Sequence, residues 1–272
     1  MQEEFNQYLE SAQEAALRGA AVLQEWRQKF RVREKGRFDL VTDADLASQR
    51  TIRQYLQERF PEHQFLGEEE GADTLRPRAD SPPTWICDPL DGTTNYVHDC
   101  PLFAVSLGLL VAGELVVGVV YDPSRQEMFS AAKGMGAWLN GERIQTSSTS
   151  RLEEALLATG FPHDLRGHED TLDWWCHFSL RARSLRRTGS TAINLAYVAA
   201  GRFDAYWGFD AHVWDVSGGV VLVREAGGVV TNCDGSSYDP FTPDGLATNG
   251  PLHPLMLAEL KSGPKKSAPL PC

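Results

Sequence analysis

The spacing of apolar positions along this chain changes period several times, and each change predicts an element. Residues 2 to 29 carry Phe5, Leu9, Ala12, Ala16, Leu23 and Trp26 at helical spacing and predict a long scaffold helix. Lys35-Gly36-Arg37 predicts a turn. Thr42, followed three positions later by Asp45, has the form of a capping box. Ile52, Tyr55, Leu56 and Phe60 line one face of the helix it would open, and Pro61 follows its end. Gln64-Phe65-Leu66 and Trp85-Ile86-Cys87 read as short buried strands, the second breaking at Pro89. Between them, residues 72–83 have loop composition. Strand-like runs at 103–111, 115–122, 126–131 and 137–139, joined by short Gly-, Asp- and Pro-rich links, predict an antiparallel meander.

Beyond residue 150 the pattern alternates. A strand is expected at 155–159 and a helix at 168–182, carrying Trp174, Trp175 and Phe178. Gly189-Ser190-Thr191 leads into an apolar helix that ends at Gly201. Residues 204–207 form a strand, and Trp214-Asp215-Val216-Ser217 opens a helix running to Gly227-Gly228. Strands at 229–231 and 245–248 close the sheet, and a helix covers 251–261. The tail from Ser262 to Cys272 is rich in Pro, Lys and Ser and is expected to be disordered.

Composition narrows the class. The chain has 272 residues, 42% of them hydrophobic, enough for a sizeable core in one large domain or two closely packed ones. Its net charge of −11 argues against nucleic acid, which selects a basic surface. No apolar run approaches the length of a membrane span, and the polar N-terminus is unlike a signal peptide. Five cysteines without metal-ligand spacing read as thiols of a reducing cytoplasm.

The chemistry concentrates at Asp88-Pro89-Leu90-Asp91-Gly92-Thr93-Thr94-Asn95. Two carboxylates at a strand mouth, with the Leu90 carbonyl between them, suit a hard cation such as Mg²⁺. Gly92, Thr93 and Thr94 follow with backbone N–H groups and hydroxyls of the kind that hold phosphate. Metal carboxylates beside phosphate donors point to metal-assisted phosphate ester hydrolysis. An ordinary Asx turn uses the same residues. Glu68, Glu69 and Glu70 sit at another strand end and could supply a third carboxylate, or form a solvated loop. Asp45 is either a plain helix cap or a carboxylate orienting a hydroxyl or a water. Asp215 is either a charge stabilised by its helix dipole or a site residue.

Four runs together resemble the inositol monophosphatase family: Asp39-Leu40-Val41-Thr42 to Asp45, Gly67-Glu68-Glu69, residues 88–95, and Trp214-Asp215 to Glu225-Ala226-Gly227-Gly228. The resemblance spans roughly residues 5 to 261. It implies an α+β or α/β layered sandwich, α-β-α-β-α. One half, 1–145, would carry most metal ligands, and the other, 146–261, Asp215 and the substrate pocket. It implies a lithium-sensitive homodimer holding two or three Mg²⁺ per site. Glu69, Asp88 and the Leu90 carbonyl would hold one ion, and Asp88, Asp91 and Asp215 another. Glu68 would be a neighbour and Glu70 a bystander. Gly92 and Thr93 would bind phosphate, while Thr93 and Asp45 would help Glu69 orient and deprotonate water. Read from the residues, Gly189, Ser190 and Thr191 are either the plain cap of the helix they open or a helix start whose hydroxyls face the organic part, and Asp210, close to Gly208, is the candidate acceptor there. The expected activity is hydrolysis of a small polyol or sugar phosphate, with inositol 1-phosphate foremost. Alternatives are fructose-1,6-bisphosphatase, histidinol-phosphate phosphatase, 3′-phosphoadenosine 5′-phosphate phosphatase, or a catalytically silent binding protein. One position departs from the pattern. Gly208 stands where inositol-specific members place a glutamate.

Overall fold

The computed structural model describes residues 2–70 and 76–264, so most of the expected tail and part of the 72–83 loop lie outside the described residues. Two helices, α1 (Gln2–Trp26) and α2 (Asp43–Arg59), pack side by side. They cover one face of a seven-stranded sheet. That sheet contains β3 (Gln64–Gly67), β4 (Thr84–Asp91), β5 (Ala104–Val111), β6 (Glu114–Asp122), β7 (Glu127–Ala132), β8 (Ala137–Leu139) and β9 (Glu142–Ile144), in that spatial order. β3 and β4 are parallel, and β5 to β9 form the expected antiparallel meander. Strand alternation decides the layering. Trp85, Val105, Leu107, Val117 and Val119 point to Ala12, Ala16, Leu23, Ile52 and Leu56 of the outer helices.

The opposite face, with Ile86, Ala104, Val120 and Phe129, meets α5 (Thr191–Ala199) and α6 (Val213–Glu225). Those helices in turn lie on a five-stranded sheet, ordered β11 (Ser184–Arg186), β10 (Leu156–Thr159), β12 (Ala205–Gly208), β14 (Gly245–Thr248), β13 (Val229–Thr231). Its far face packs on Trp174 and Phe178 of α4 (Asp170–Ser179) and on Met256 and Leu260 of α7 (His253–Ser262). The layers are therefore α-β-α-β-α.

The α6–sheet contact is unusually close, because three glycines face it. A Cβ on Gly118 would lie 2.2 Å from the Gly218 carbonyl oxygen, and one on Gly108 would lie 2.6 Å from Ser217 Cβ. A Cβ on Gly218 would lie 2.8 Å from the Val119 carbonyl. The N-terminus of α6, with Asp215, is held near the C-terminal end of β4 by that contact.

Some boundaries differ from the sequence expectation. Residues 35–37 are part of a hairpin, in which β1 (Val32–Gly36) pairs with β2 (Asp39–Thr42). Every β1 residue is exposed, so no apolar alternation marked it. β4 does not break at Pro89. It continues to Asp91 through an irregularity in its pairing with β5, where a residue without an N–H is tolerated. α1 stops at Trp26, and α4 covers only residues 170–179 of the expected 168–182.

Candidate active site

The irregular end of β4 builds the centre of the site. Asp88 accepts the Leu90 N–H through Oδ1 at 2.9 Å, so the Asx turn is present. It coexists with a cavity position, because Asp88, Leu90 and Asp91 all line one cavity of about 490 Å³. Gly92 follows at φ 97°, and a Cβ there would stand 2.8 Å from the Leu102 carbonyl, so this turn accepts only glycine. α3 (Thr93–Val97) starts immediately after, and its first N–H groups have no partner within the helix. Thr93 and Thr94 line the cavity there.

Asp45 has two roles at once. Its Oδ2 accepts the Thr42 N–H at 2.9 Å and the Thr42 hydroxyl, completing the capping box of α2. Its Oδ1 accepts the Thr93 hydroxyl at 3.2 Å. The same hydroxyl lies 3.1 Å from the Leu90 carbonyl. The cap therefore fixes the carboxylate that holds Thr93.

Asp91 reaches across to the start of α5. Its Oδ2 accepts the Ser190 hydroxyl at 2.7 Å and the Ala192 N–H. Ser190 also caps α5 by accepting from the Ile193 N–H at 3.1 Å. Asn95 ties α3 to the same segment, donating to the carbonyls of Leu102 (2.6 Å) and Thr188 (2.8 Å). Asp215, at the start of α6, accepts the His212 N–H at 2.8 Å and also lines the cavity.

Glu68 and Glu69 have different surroundings. Glu68 lines the cavity, with its side chain 20% exposed. The Glu69 side chain is 2% exposed and is not part of that lining. Its N–H donates to Gln49 Oε1 at 3.0 Å, which turns the short 3-10 segment after β3. Lys35, from the β1–β2 hairpin, donates to Glu68 at 2.8 Å and to Glu69 at 2.7 Å.

Charge accumulates here. Burial, and then the charges of Glu68, Asp91 and Asp215, lift the Asp88 carboxyl well above the ordinary range. Asp91 is raised by burial and by Asp215, against the pull of its donors on α5. Burial and the charge of Glu68 push Glu69 up to about 7, although Lys35 opposes them. Burial, with a smaller push from Glu68, takes Asp45 up to about 6 against the pull of its Thr42 hydrogen bonds. Among the described residues no three acidic, histidine or cysteine side chains close into a finished ion cage. The donor set nevertheless fits a divalent cation: hard carboxylate oxygens that repel one another around a cavity, plus a carbonyl. Glu68 or Glu69, which share Lys35, together with Asp88, Asp91, Asp215 and the Leu90 carbonyl, could hold it.

Of the residues expected to face the organic part, Gly189, Ser190, Thr191 and Asp210 all line the cavity. Asp210 is exposed at its rim. Sequence reasoning gave no role to Lys35, Asn95 or Tyr206. Tyr206 could have been found by period-two alternation, since it shares a face of β12 with Gly208.

A model of the inositol monophosphatase family matches residues 3–265. The chain belongs to the inositol monophosphatase family. It is 42% identical over 261 residues to an inositol-1-monophosphatase of Synechocystis sp., covering 95% of this chain and 90% of that one. It superposes on the inositol monophosphatase structure from Anabaena (Nostoc) sp. with a TM-score of 0.87 at 40% identity, covering 96% of this chain and 98% of that one. A more distant family structure, an IMPase/NADP phosphatase complexed with Mg²⁺ and phosphate, gives a TM-score of 0.79 at 25% identity over 92% of this chain and 94% of that one. The chain is a phosphoric monoester hydrolase of this family. Among the described residues no helix is long and apolar enough to cross a membrane.

Proposed function

We propose that the chain hydrolyses inositol 1-phosphate and related small polyol or sugar phosphates with Mg²⁺, as a lithium-sensitive cytoplasmic homodimer. One observation carries the reading: Glu68, Asp88, Asp91 and Asp215 line the same cavity as the first turn of α3. The relatives' names and the Mg²⁺ and phosphate of a family structure support the ion and the substrate class. The dimer and the lithium response rest on the family likeness.

A bound cation would offset the carboxylate charge and acidify water at the site. The protein's own residues do the rest by positioning. Gly92 and Thr93 present N–H groups to the phosphate. The Thr93 hydroxyl, held by Asp45, orients the attacking water and passes a proton toward that carboxylate. Asp91, locked to α5, keeps one half of the site in register with the other. Glu68 takes the ligand role expected of Glu69, supported by its place in the cavity wall and its charge on Asp88.

The test is phosphate release from a panel of polyol and sugar phosphates with and without Mg²⁺ and Li⁺. Mg²⁺-dependent release, inhibited by Li⁺ and lost by at least about a hundredfold in Asp91→Asn, is expected. Undiminished release by a folded Asp91→Asn would remove the assignment.

A further inference from the structure

Tyr206 is a polar group in the cavity with no part in holding cation or phosphate. It lies on β12, and Gly208 follows two residues later on the same face. A Cβ on Gly208 would stand 2.5 Å from the Tyr206 hydroxyl oxygen, and one on Gly160 would stand 3.2 Å from it. Two missing side chains thus leave the space that the phenol occupies. The residue is only 3% exposed, yet it lines the cavity.

Its hydrogen-bonding capacity is largely unused. A phenol can donate once and also accept. Among the described residues its hydrogen-bond partner is the Thr191 hydroxyl, at 3.3 Å. Strong O–H···O bonds are nearer about 2.7–2.8 Å. A buried polar group left with so loose a partner is costly unless a ligand completes it. Thr191 also lines the cavity, at the first position of α5, next to the Ser190 that holds Asp91. The two hydroxyls therefore stand beside the carboxylate centre rather than at the outer rim, where Asp210 is exposed.

We propose that the Tyr206–Thr191 hydroxyl pair reads the alcohol half of the substrate, hydrogen-bonding a hydroxyl near the ester from the place beside Gly208 that the phenol fills. This rests on the phosphatase reading and names the residues that select polyol and sugar esters within it. Recognition here uses neutral groups. Hydrogen bonds between neutral hydroxyls are roughly half as strong as those to a carboxylate, so the pocket accepts several polyols rather than one.

The experiment compares kcat/KM for inositol 1-phosphate and cyclohexyl phosphate, which share a six-membered ring but differ in hydroxyls. Wild type, Tyr206→Phe and Thr191→Val are assayed with Mg²⁺ after thermal unfolding has shown each to be folded. Tyr206→Phe removes one oxygen and keeps the ring, and Thr191→Val removes the partner hydroxyl, so either folded variant suffices. The preference for the inositol ester is expected to fall about tenfold in each, mainly through a higher KM for that ester. Equal losses on both esters, leaving the preference intact, would overturn the proposal and reduce the pair to a packing role. Wild-type protein that released phosphate from neither ester would instead refute the phosphatase reading, and this inference with it.

Discussion

Thr93 donates its hydroxyl to Asp45 Oδ1 at 3.2 Å, while the other oxygen of that carboxylate closes the N-terminus of α2. A helix cap and a site contact are thus one side chain. Thr93→Ala is expected to lower kcat much more than it raises KM, because the hydroxyl acts on water in the transition state. Asp45→Asn should lower kcat similarly, and the double variant should be little worse than either. Asp45→Asn should also lose about 1 kcal/mol of stability through the weakened capping box, read from urea unfolding. Additive kinetic losses would leave Asp45 as a cap alone.

The two glutamates after β3 are separable by titration. Glu68→Gln is expected to weaken Mg²⁺ activation by about ten- to a hundredfold. Glu69→Gln should affect the ion less and act mainly through Lys35, which bridges the two carboxylates. A larger loss of Mg²⁺ affinity in Glu69→Gln would restore the assignment implied by the sequence resemblance.

Metal-free protein should lose stability as pH rises. The folded chain holds Asp45 up to about 6 and Glu69 up to about 7, against ordinary values of 3.8 and 4.5. Between pH about 4 and about 7 the native state therefore binds more protons than the unfolded state, and unfolding becomes easier with each step upward. Tm without divalent cations should fall across that window, by an amount on the order of a few kcal/mol in stability. Mg²⁺ should raise Tm more at pH 7.5 than at pH 5, because Asp88 and Asp91, whose carboxyls burial also raises, must give up their protons to bind it. A metal-free Tm that climbs from pH 5 to 7.5 contradicts the charge arrangement described above.

Gly118→Ala should cost about 1–3 kcal/mol, since its methyl would meet the Gly218 carbonyl rather than a side chain that can turn away. The same variant should lower kcat, as α6 carries Asp215 with it. Urea unfolding and steady-state kinetics give both numbers, and wild-type values for both would show that the helix–sheet contact can yield.

Much of this architecture was legible because its signals are local. The Thr42–Asp45 box, the meander from residue 103 onward and the apolar helix after Ser190 each carry their own spacing. The 88–95 run marked the centre of the site through its turn residues. What was not legible depends on contacts between distant segments. β1 has no apolar face, so only its pairing with β2 reveals it. The separation of Glu68 from Glu69 follows from Gln49 and Lys35, which reach them from elsewhere in the chain. Tyr206 became part of the site only once Gly160 and Gly208 were seen to surround its hydroxyl.

The close seat of α6 on the sheet has a consequence for redesign. Most of the surrounding hydrophobic layer could be exchanged for other side chains, because rotamers absorb small volume changes. At Gly108, Gly118 and Gly218 there is no rotamer to adjust, and backbone rests against backbone or the first atom of a side chain. The offset between Asp215 and Asp88 is therefore a dimension of the frame itself. A redesigned core could change nearly every residue of that layer and keep the cavity's span, provided these three positions stay without a side chain.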